Sequence, residues 1–195
     1  GAFSLEGNFA RKVDLVLLGE QQMYHGYGVP FDPEGLLGTL TGAATVLLGY
    51  MIGQVVKSDA PVNVSAKVFS ISAGLLLGGL ALGLVVPINK PMWTASYVLY
   101  TAGWASFVLA LLIYLVDVRG WEKPFFPFKA LGMNALAVFV LSGLIMKTIW
   151  RFTDWDYTLV FGQTEFMSFL FSFLYMLVNL GIAVVLYRRK IFIKL

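Results

Sequence analysis

The chain has 195 residues, 58% of them hydrophobic and 13% charged, whereas a soluble domain is roughly half apolar and about a quarter charged. The absence of cysteine excludes a disulfide scaffold and a thiolate metal site. The net charge of +3 is scattered along the chain, so we expect no nucleic-acid partner, which would require a concentrated basic face. With a mean hydropathy of +0.78, the composition predicts a protein that crosses a membrane several times.

Residues 1–35 contain only a short apolar run, at 13–18, which is typical of a helix that lies along a membrane surface. A membrane span needs about 20 mostly apolar residues. Five stretches meet that length, at 36–56, 66–86, 93–116, 128–149 and 166–187. The sequence therefore predicts an all-α fold, a polytopic transmembrane helix bundle with about five spans, forming one membrane domain over 36–195.

The lysines and arginines are distributed unequally between the two sides that five spans create. Nine share the side of the C-terminus (Lys57, Lys67, Arg119, Lys123, Lys129, Arg188, Arg189, Lys190, Lys194) and five lie opposite (Arg11, Lys12, Lys90, Lys147, Arg151). Because cytoplasmic loops collect cations, we expect the C-terminus in the cytoplasm and residues 1–35 on the extracytoplasmic side.

Glycines recur at four-residue spacings in the first two predicted spans, a pattern that lets helix backbones approach closely. They are Gly38, Gly42, Gly49 and Gly53 in the first span and Gly74, Gly78, Gly79 and Gly83 in the second. Helix packing outweighs any ligand role here, because none of these glycines adjoins a phosphate-binding lysine.

The segment Asp32-Pro33-Glu34-Gly35 stands at the outer mouth of the first predicted span. Asp32 is predicted as the N-cap, Pro33 as the first helical residue and Glu34 as part of the first turn, all favoured at a helix N-terminus. For Asp32 the capping interpretation is favoured over a role in chemistry. For Glu34 the capping and the chemical interpretations are balanced, because a cap does not require its carboxylate. Glu34 is therefore the candidate catalytic residue.

A second polar group follows the second predicted span. Asn89, Lys90 and Trp93 lie in the outer loop, and Ser96 and Tyr97 begin the third span. A polar and aromatic helix face suits a sugar or a wet cavity, and it suits helix–helix hydrogen bonding equally well. Lys90 is predicted either to pair with Glu34 or Asp32 across a cavity mouth or to be a surface lysine.

Asn134 and Ser142 are eight residues apart in the fourth predicted span, so they share one helix face, as either a cavity lining or interhelical hydrogen bonds would require. Polar groups are costly in a bilayer, which makes all these residues functional candidates. The candidate substrate- or cofactor-binding residues are Asp32, Glu34, Asn89, Lys90, Trp93, Ser96, Tyr97, Asn134 and Ser142. His25 is the single histidine, so no metal site is predicted.

Several segments resemble the C-terminal half of the heparan-alpha-glucosaminide N-acetyltransferase family, in order along nearly the whole chain. They are Val13-Asp14 to Gly19, Met23-Tyr24, Phe31-Asp32-Pro33-Glu34-Gly35-Leu36-Leu37-Gly38-Thr39, Val86-Pro87-Ile88-Asn89-Lys90-Pro91-Met92-Trp93 with Ser96-Tyr97-Val98, Val116-Asp117-Val118 with Gly120, Gly132-Met133-Asn134-Ala135-Leu136, and Leu186 to Phe192. Residues 139–144 are similar to the bacterial branch, whose members are often labelled N-acetylglucosamine-related transporters.

The resemblance implies a membrane-embedded acyltransferase, in a bacterial inner membrane, that moves acetyl from cytosolic acetyl-CoA to an amino sugar on the far side. The family's essential histidine lies in its N-terminal half, so this chain is expected to be a fragment or processed product, inactive without that half as its partner. The lysosomal members carry histidines where Gln22 and Ser142 stand, which puts contacts there in doubt. Besides the lipid bilayer and the amino-sugar substrate, a homodimer is an expected partner.

Two other function classes fit the same residues. A transporter for N-acetylglucosamine or a related amino sugar would line its translocation path with the same polar face. A scaffold would use the glycine-rich spans for oligomerisation. Uptake of labelled sugar without acetyl-CoA distinguishes the transporter from the acyltransferase.

Overall fold

The computed structural model describes residues 1–153, 162 and 164–193, and all regular secondary structure in that part of the chain is helical. The helices are α1 (Phe9–Leu17), α2 (Leu36–Val56), α3 (Pro61–Gly83), α4 (Ala95–Leu112, continued by a π-helical segment at Ile113–Val118), α5 (Glu122–Met133), α6 (Ala135–Thr153) and α7 (Glu165–Arg188), with a short 3₁₀ turn at Glu20–Gln22. The predicted all-α class is confirmed.

Four of the described helices are long and apolar enough to cross a membrane: α2, α3, α4 with its π-helical continuation, and α7. Helices α5 and α6 meet the same criterion only as a pair, and they are bent by 73° against each other. The described residues therefore contain four such helices, or up to five crossings if the bent pair makes one. The predicted loop between the last two spans falls mostly outside the described residues.

The predicted fourth span, 128–149, is not one continuous helix. Asn134 separates α5 from α6 with a φ of −133°, far from helical values. Pro127 lies inside α5, where it removes one backbone donor. Asn134 and Ser142 therefore do not share the face of a single helix, which corrects the spacing argument made from the sequence.

The chain divides into two compact units, 1–120 and 121–195. In the first unit, α3 and α4 pack most extensively. Their backbones approach closely at two glycines, because a Cβ on Gly79 would meet the backbone of Tyr100 and a Cβ on Gly103 would meet that of Leu76. A buried apolar cluster joins these helices to α2 and comprises Ile52, Val64, Val68, Ala110 and Ile113. In the second unit, α7 packs on α5 and α6.

Local sequence explains where several helices begin. Pro61 opens α3, a position where its missing N–H costs nothing. Thr94 caps α4 by accepting a hydrogen bond from the Tyr97 backbone, and Thr164 caps α7 in the same way through Met167. The amphipathic helix α1 starts at its cap Asn8, whose Oδ1 accepts a 2.7 Å hydrogen bond from the Arg11 backbone. Helix α2 is capped differently, as described below.

Candidate functional site

Three segments of the first unit converge at the N-terminal end of α2: helix α1, the loop 31–35 and the loop 87–94. They border a cleft of about 10 Å³, roughly the space of one water molecule. We call this space the mouth cleft. Its lining consists of Ala10, Asp14, Phe31, Asp32, Pro33, Gly35, Gly38, Pro91 and Met92, and thus contains two carboxylates and no cationic side chain.

The N-cap of α2 differs from the sequence prediction. Helix α2 begins at Leu36, its N-cap is Gly35, and neither Pro33 nor Glu34 lies in the helix, so the predicted capping roles of Asp32, Pro33 and Glu34 are wrong. The Leu36 backbone N–H instead donates to Asp14 Oδ1 at 3.0 Å, across 22 residues of sequence. A carboxylate from α1 therefore supplies the acceptor and the negative charge that this helix end favours.

Asp32 organises the loop in front of the helix. Its Oδ1 accepts a 2.9 Å hydrogen bond from the Glu34 backbone, and its carbonyl oxygen accepts one of 3.2 Å from Gly35. This is the local turn that an aspartate before proline favours. Asp32 is half-buried at the cleft, whereas Glu34 is exposed beside it. Among the described residues, none pairs with the Glu34 carboxylate.

Asp14 is a polar residue of this site that was not among the candidates predicted from the sequence. Its side chain is 1% exposed, and Oδ2 has no hydrogen-bond partner. The sequence held one signal for it: a single acid within the short apolar run 13–18, on a segment predicted to lie at a membrane surface. Such a residue must face protein or remain unsatisfied.

The loop 87–94 is held by hydrogen bonds of its own polar side chains and of Ser96 at the start of α4. Asn89 Oδ1 accepts from the Met92 backbone at 3.1 Å, and the Asn89 backbone donates to Thr94 Oγ1 at 3.1 Å. Ser96, which is fully buried, donates from Oγ to the Pro87 carbonyl at 3.1 Å. The polar atoms of Asn89 and Ser96 therefore stabilise the loop that forms one wall of the mouth cleft.

Trp93 adopts a left-handed backbone conformation with φ of 48°, which is uncommon for a bulky residue. Its indole Nε1 donates to Thr45 Oγ1 at 3.2 Å, and its ring packs edge to face on Tyr97 with centroids 5.3 Å apart. These contacts offset the conformational cost, which is of order 1–3 kcal/mol. The loop is thereby tied to α2 and α4 together.

Lys90 is exposed and makes no ion pair within the described chain, so the predicted pairing across the cavity mouth is not formed and the surface interpretation fits. The one ion pair of that part of the chain joins Lys67 Nζ, on α3, to Asp59 Oδ2, in the turn before that helix, at 2.9 Å. Hydrogen bonds from Lys67, then from the Ala60 backbone and Asn63, lower the pKa of Asp59 from 3.8 to about 2.

Asn134 and Ser142 belong to the second unit. Asn134 is 1% exposed; its amide donates to the Ile191 carbonyl at 3.1 Å, and its Oδ1 accepts from the Ile193 backbone at 3.0 Å. Ser142 Oγ donates to the Phe139 carbonyl of its own helix, and its carbonyl accepts from the Tyr175 hydroxyl. The described contacts of both residues are thus internal to that unit.

Comparison with known proteins finds two curated relatives, both named heparan-alpha-glucosaminide N-acetyltransferase. The chain is 27% identical to the human protein over 209 residues and 27% identical to the mouse protein over 206 residues. Each alignment covers 97% of this chain and 30% of the relative, so the chain spans 30% of the length of the curated relatives it matches. No family model matches the sequence.

This similarity is distant homology that extends over almost the whole chain. It supports the resemblance drawn from the sequence at the level of the acetyltransferase, while the bacterial branch stays a prediction.

Proposed function

We propose that this protein acts in acetyl transfer at a membrane, moving acetyl from acetyl-CoA to the amine of an amino sugar at the extracytoplasmic mouth of α2. The observation that carries the proposal is the 27% identity to heparan-alpha-glucosaminide N-acetyltransferase across 97% of the chain. The helices long and apolar enough to cross a membrane support the same assignment. We further propose a bacterial inner membrane as its location.

The chemistry of this reaction defines what the site must supply. The amine nitrogen bonds to the acetyl carbonyl carbon, the carbon–sulfur bond breaks, the amine loses a proton, and coenzyme A leaves as thiolate or thiol. A carboxylate near the amine suits the removal of that proton. Glu34 is the proposed proton acceptor, because it is exposed between Pro33 and Gly35, which line the mouth cleft, and its carboxylate is unpaired among the described residues.

Radiolabelled acetyl transfer from acetyl-CoA to glucosamine, measured with the intact protein in detergent, tests this function. Glu34→Gln should lower the rate by about 10²–10⁴, the usual contribution of a general base. Glu6→Gln is the matched control, because Glu6 is an exposed acid of the same N-terminal segment that lies outside the loop 31–35.

Two results would contradict the proposal. Full activity of the Glu34→Gln variant with an unchanged pH profile would remove Glu34 from the chemistry. Absence of any transfer, together with saturable uptake of N-acetylglucosamine into vesicles that lack acetyl-CoA, would identify a transporter instead.

A further inference from the structure

Helix α1 buries one face against the protein and leaves the opposite face apolar and exposed. Asp14, on the buried face, is 1% exposed. Phe9, Val16 and Leu17 are 71%, 83% and 65% exposed. A surface helix of a soluble protein has the reverse arrangement, because its apolar face is the one that packs on the core. The exposed face of α1 is therefore suited to an apolar environment outside the described residues.

The exposed apolar side chains form one continuous stripe. Successive helical residues are about 100° apart around the helix axis. That spacing places four apolar residues within one arc of about 100°, which we call the α1 stripe: Phe9, Val13, Val16 and Leu17. Asp14 lies about 140° from Phe9, on the other side of the helix. Lys12, which is exposed, lies at the edge of the stripe.

The cap of α2 fixes the depth of α1 relative to a bilayer. Asp14 Oδ1 accepts from the Leu36 backbone, so α1 lies level with the first residue of α2. Helix α2 has 21 residues and is about 31 Å long, close to the roughly 30 Å of the hydrocarbon core. When α2 crosses the bilayer, its first residue therefore lies near the boundary between hydrocarbon and headgroups.

The length of α1 keeps the whole helix at that boundary. The helix has nine residues, and Asp14 is the sixth of them, so neither end lies more than about 8 Å from Asp14 along the helix axis. The headgroup layer of one leaflet is about 5–8 Å thick. At any tilt, α1 thus stays within or next to the layer in which amphipathic helices bind.

We infer that the α1 stripe inserts into the lipid leaflet at which α2 begins, with the Lys12 ammonium beside the headgroups. Phospholipid is the partner that these features fit, because an apolar stripe binds the upper acyl chains and a lysine at its edge suits the phosphate layer. Within the described residues, Lys12 has no ion-pair partner. The inference depends on α2 crossing the bilayer and is independent of the proposed function.

The size of the stripe favours lipid over a protein partner. Four side chains are few beside the roughly 20–30 residues that each partner contributes to a standard protein interface. Insertion into lipid requires no complementary surface, since the stripe only has to leave water. Lipid thereby holds α1 from outside while Asp14 caps α2 from inside, so the mouth cleft lies at the membrane surface.

Fluorescence quenching of the intact protein in lipid nanodiscs tests the inference, because the chain has no cysteine that would compete for a label. The single variants Val16→Cys, Leu47→Cys and Gln21→Cys each place one bimane label on an exposed residue. The label at position 16 should be protected from aqueous iodide and lose emission to phospholipids that are brominated at the headgroup end of their acyl chains.

The other two labels are references for depth. Leu47 lies about 16 Å along α2 from Leu36, so a label there should lose emission mainly to phospholipids brominated further down the acyl chains. Gln21 is a polar residue after the end of α1, and a label there should respond mainly to iodide. Position 16 should therefore fall between the two references.

Two results would overturn the inference. Iodide quenching at position 16 equal to that at position 21 would place the stripe in water. Protection of position 16 from both iodide and brominated lipid would show that another protein surface, such as a second copy of the chain, covers the stripe. Leu17→Cys, on the same stripe, replaces Val16→Cys if that variant lowers the thermal midpoint. Acetyl-transfer activity enters none of these readouts.

Discussion

Asp14 and Gly35 act as a pair, although 21 positions separate them in the sequence. The carboxylate caps α2 from another helix, and the glycine provides the room in which it does so. An intrahelical cap is recognisable from a local motif, whereas this one depends on the docking of α1. The site is therefore sensitive to residues that no local pattern identifies.

Gly35→Ala tests this pairing. The added Cβ would push the Asp14 side chain away from Leu36, which should destabilise the protein by about 1–2 kcal/mol, the value of a lost cap. Gly42→Ala is the control, because a Cβ at Gly42 meets nothing within 4 Å. Thermal unfolding in detergent should show a lower midpoint for the first variant alone, and equal midpoints would contradict the close approach.

The Asp59–Lys67 pair predicts a titration. The folded-state pKa of Asp59 lies at about 2, below its usual 3.8, so any stability from this pair is complete above pH 3.8 and disappears as the pH falls towards 2. Both side chains are partly exposed, and we expect the contribution to be small. Lys67→Met should move the Asp59 midpoint, followed by carboxyl NMR, up towards 3.8, while Lys57→Met should leave it in place.

At the residue scale, the sequence predicted the start of α2 at residue 36 correctly but misassigned the cap of that helix. Asp32-Pro33-Glu34 has the composition of a helix start, yet its aspartate lies four residues before the first residue of α2 and closes a turn there. The physical reason is that a carboxylate oxygen which accepts a hydrogen bond within a local turn is not available to cap a helix. The Asp32 side chain is used in the turn, and Asp14 caps α2 instead. Asn89, Lys90, Trp93, Ser96 and Tyr97 stay predictions as ligand contacts.

At the scale of whole helices, the glycines divide into those that are packed and those that are open. Gly79 and Gly103 lie at the close approach of α3 and α4, and Gly103 was not among the spacings singled out in the sequence. Gly42, Gly49 and Gly53 of α2 would admit a Cβ without any contact. The spacing therefore predicted close packing correctly for part of α3 and did not distinguish which glycines take part.

Gly79→Ala is expected to separate α3 from α4. The obstacle is backbone, with Tyr100 N at 2.7 Å and Tyr100 Cα at 2.9 Å from the added Cβ, so no side-chain rotation relieves it. We expect a loss of about 1–3 kcal/mol, typical of overpacking. Gly74→Ala on the same helix meets nothing within 4 Å and should be tolerated. A wild-type midpoint for both variants in a thermal melt would rule out this packing.

At the scale of the whole molecule, hydropathy predicted the class well because long apolar helices leave a strong signal. It could not show that the predicted fourth span is broken at Asn134, since a bend changes neither composition nor apolar length. It also could not assign the polar atoms of Asn134, which bond to Ile191 and Ile193 far along the sequence. Orientation rests on the charge count and stays a prediction.

The absence of native cysteine makes that orientation measurable. Single substitutions Gln21→Cys and Ser58→Cys place thiols on exposed residues that are predicted to lie on opposite sides of the membrane. A membrane-impermeant maleimide should label the cysteine at position 21 in intact spheroplasts. It should label the cysteine at position 58 only after the membrane is permeabilised. The opposite pattern would reverse the assigned topology.

The bend at Asn134 also limits the distance that α5 and α6 together span across the bilayer. Helix α5 has 12 residues and is about 18 Å long, but at 73° to α6 it advances only about 5 Å along the axis of that helix. The 19 residues of α6 measure about 28 Å, close to the hydrocarbon thickness by themselves. With α6 upright, α5 runs nearly parallel to the bilayer surface. Asn134, inside a predicted span, then lies at the rim of the bilayer, where Lys123 and Lys129 remain within reach of headgroups and water.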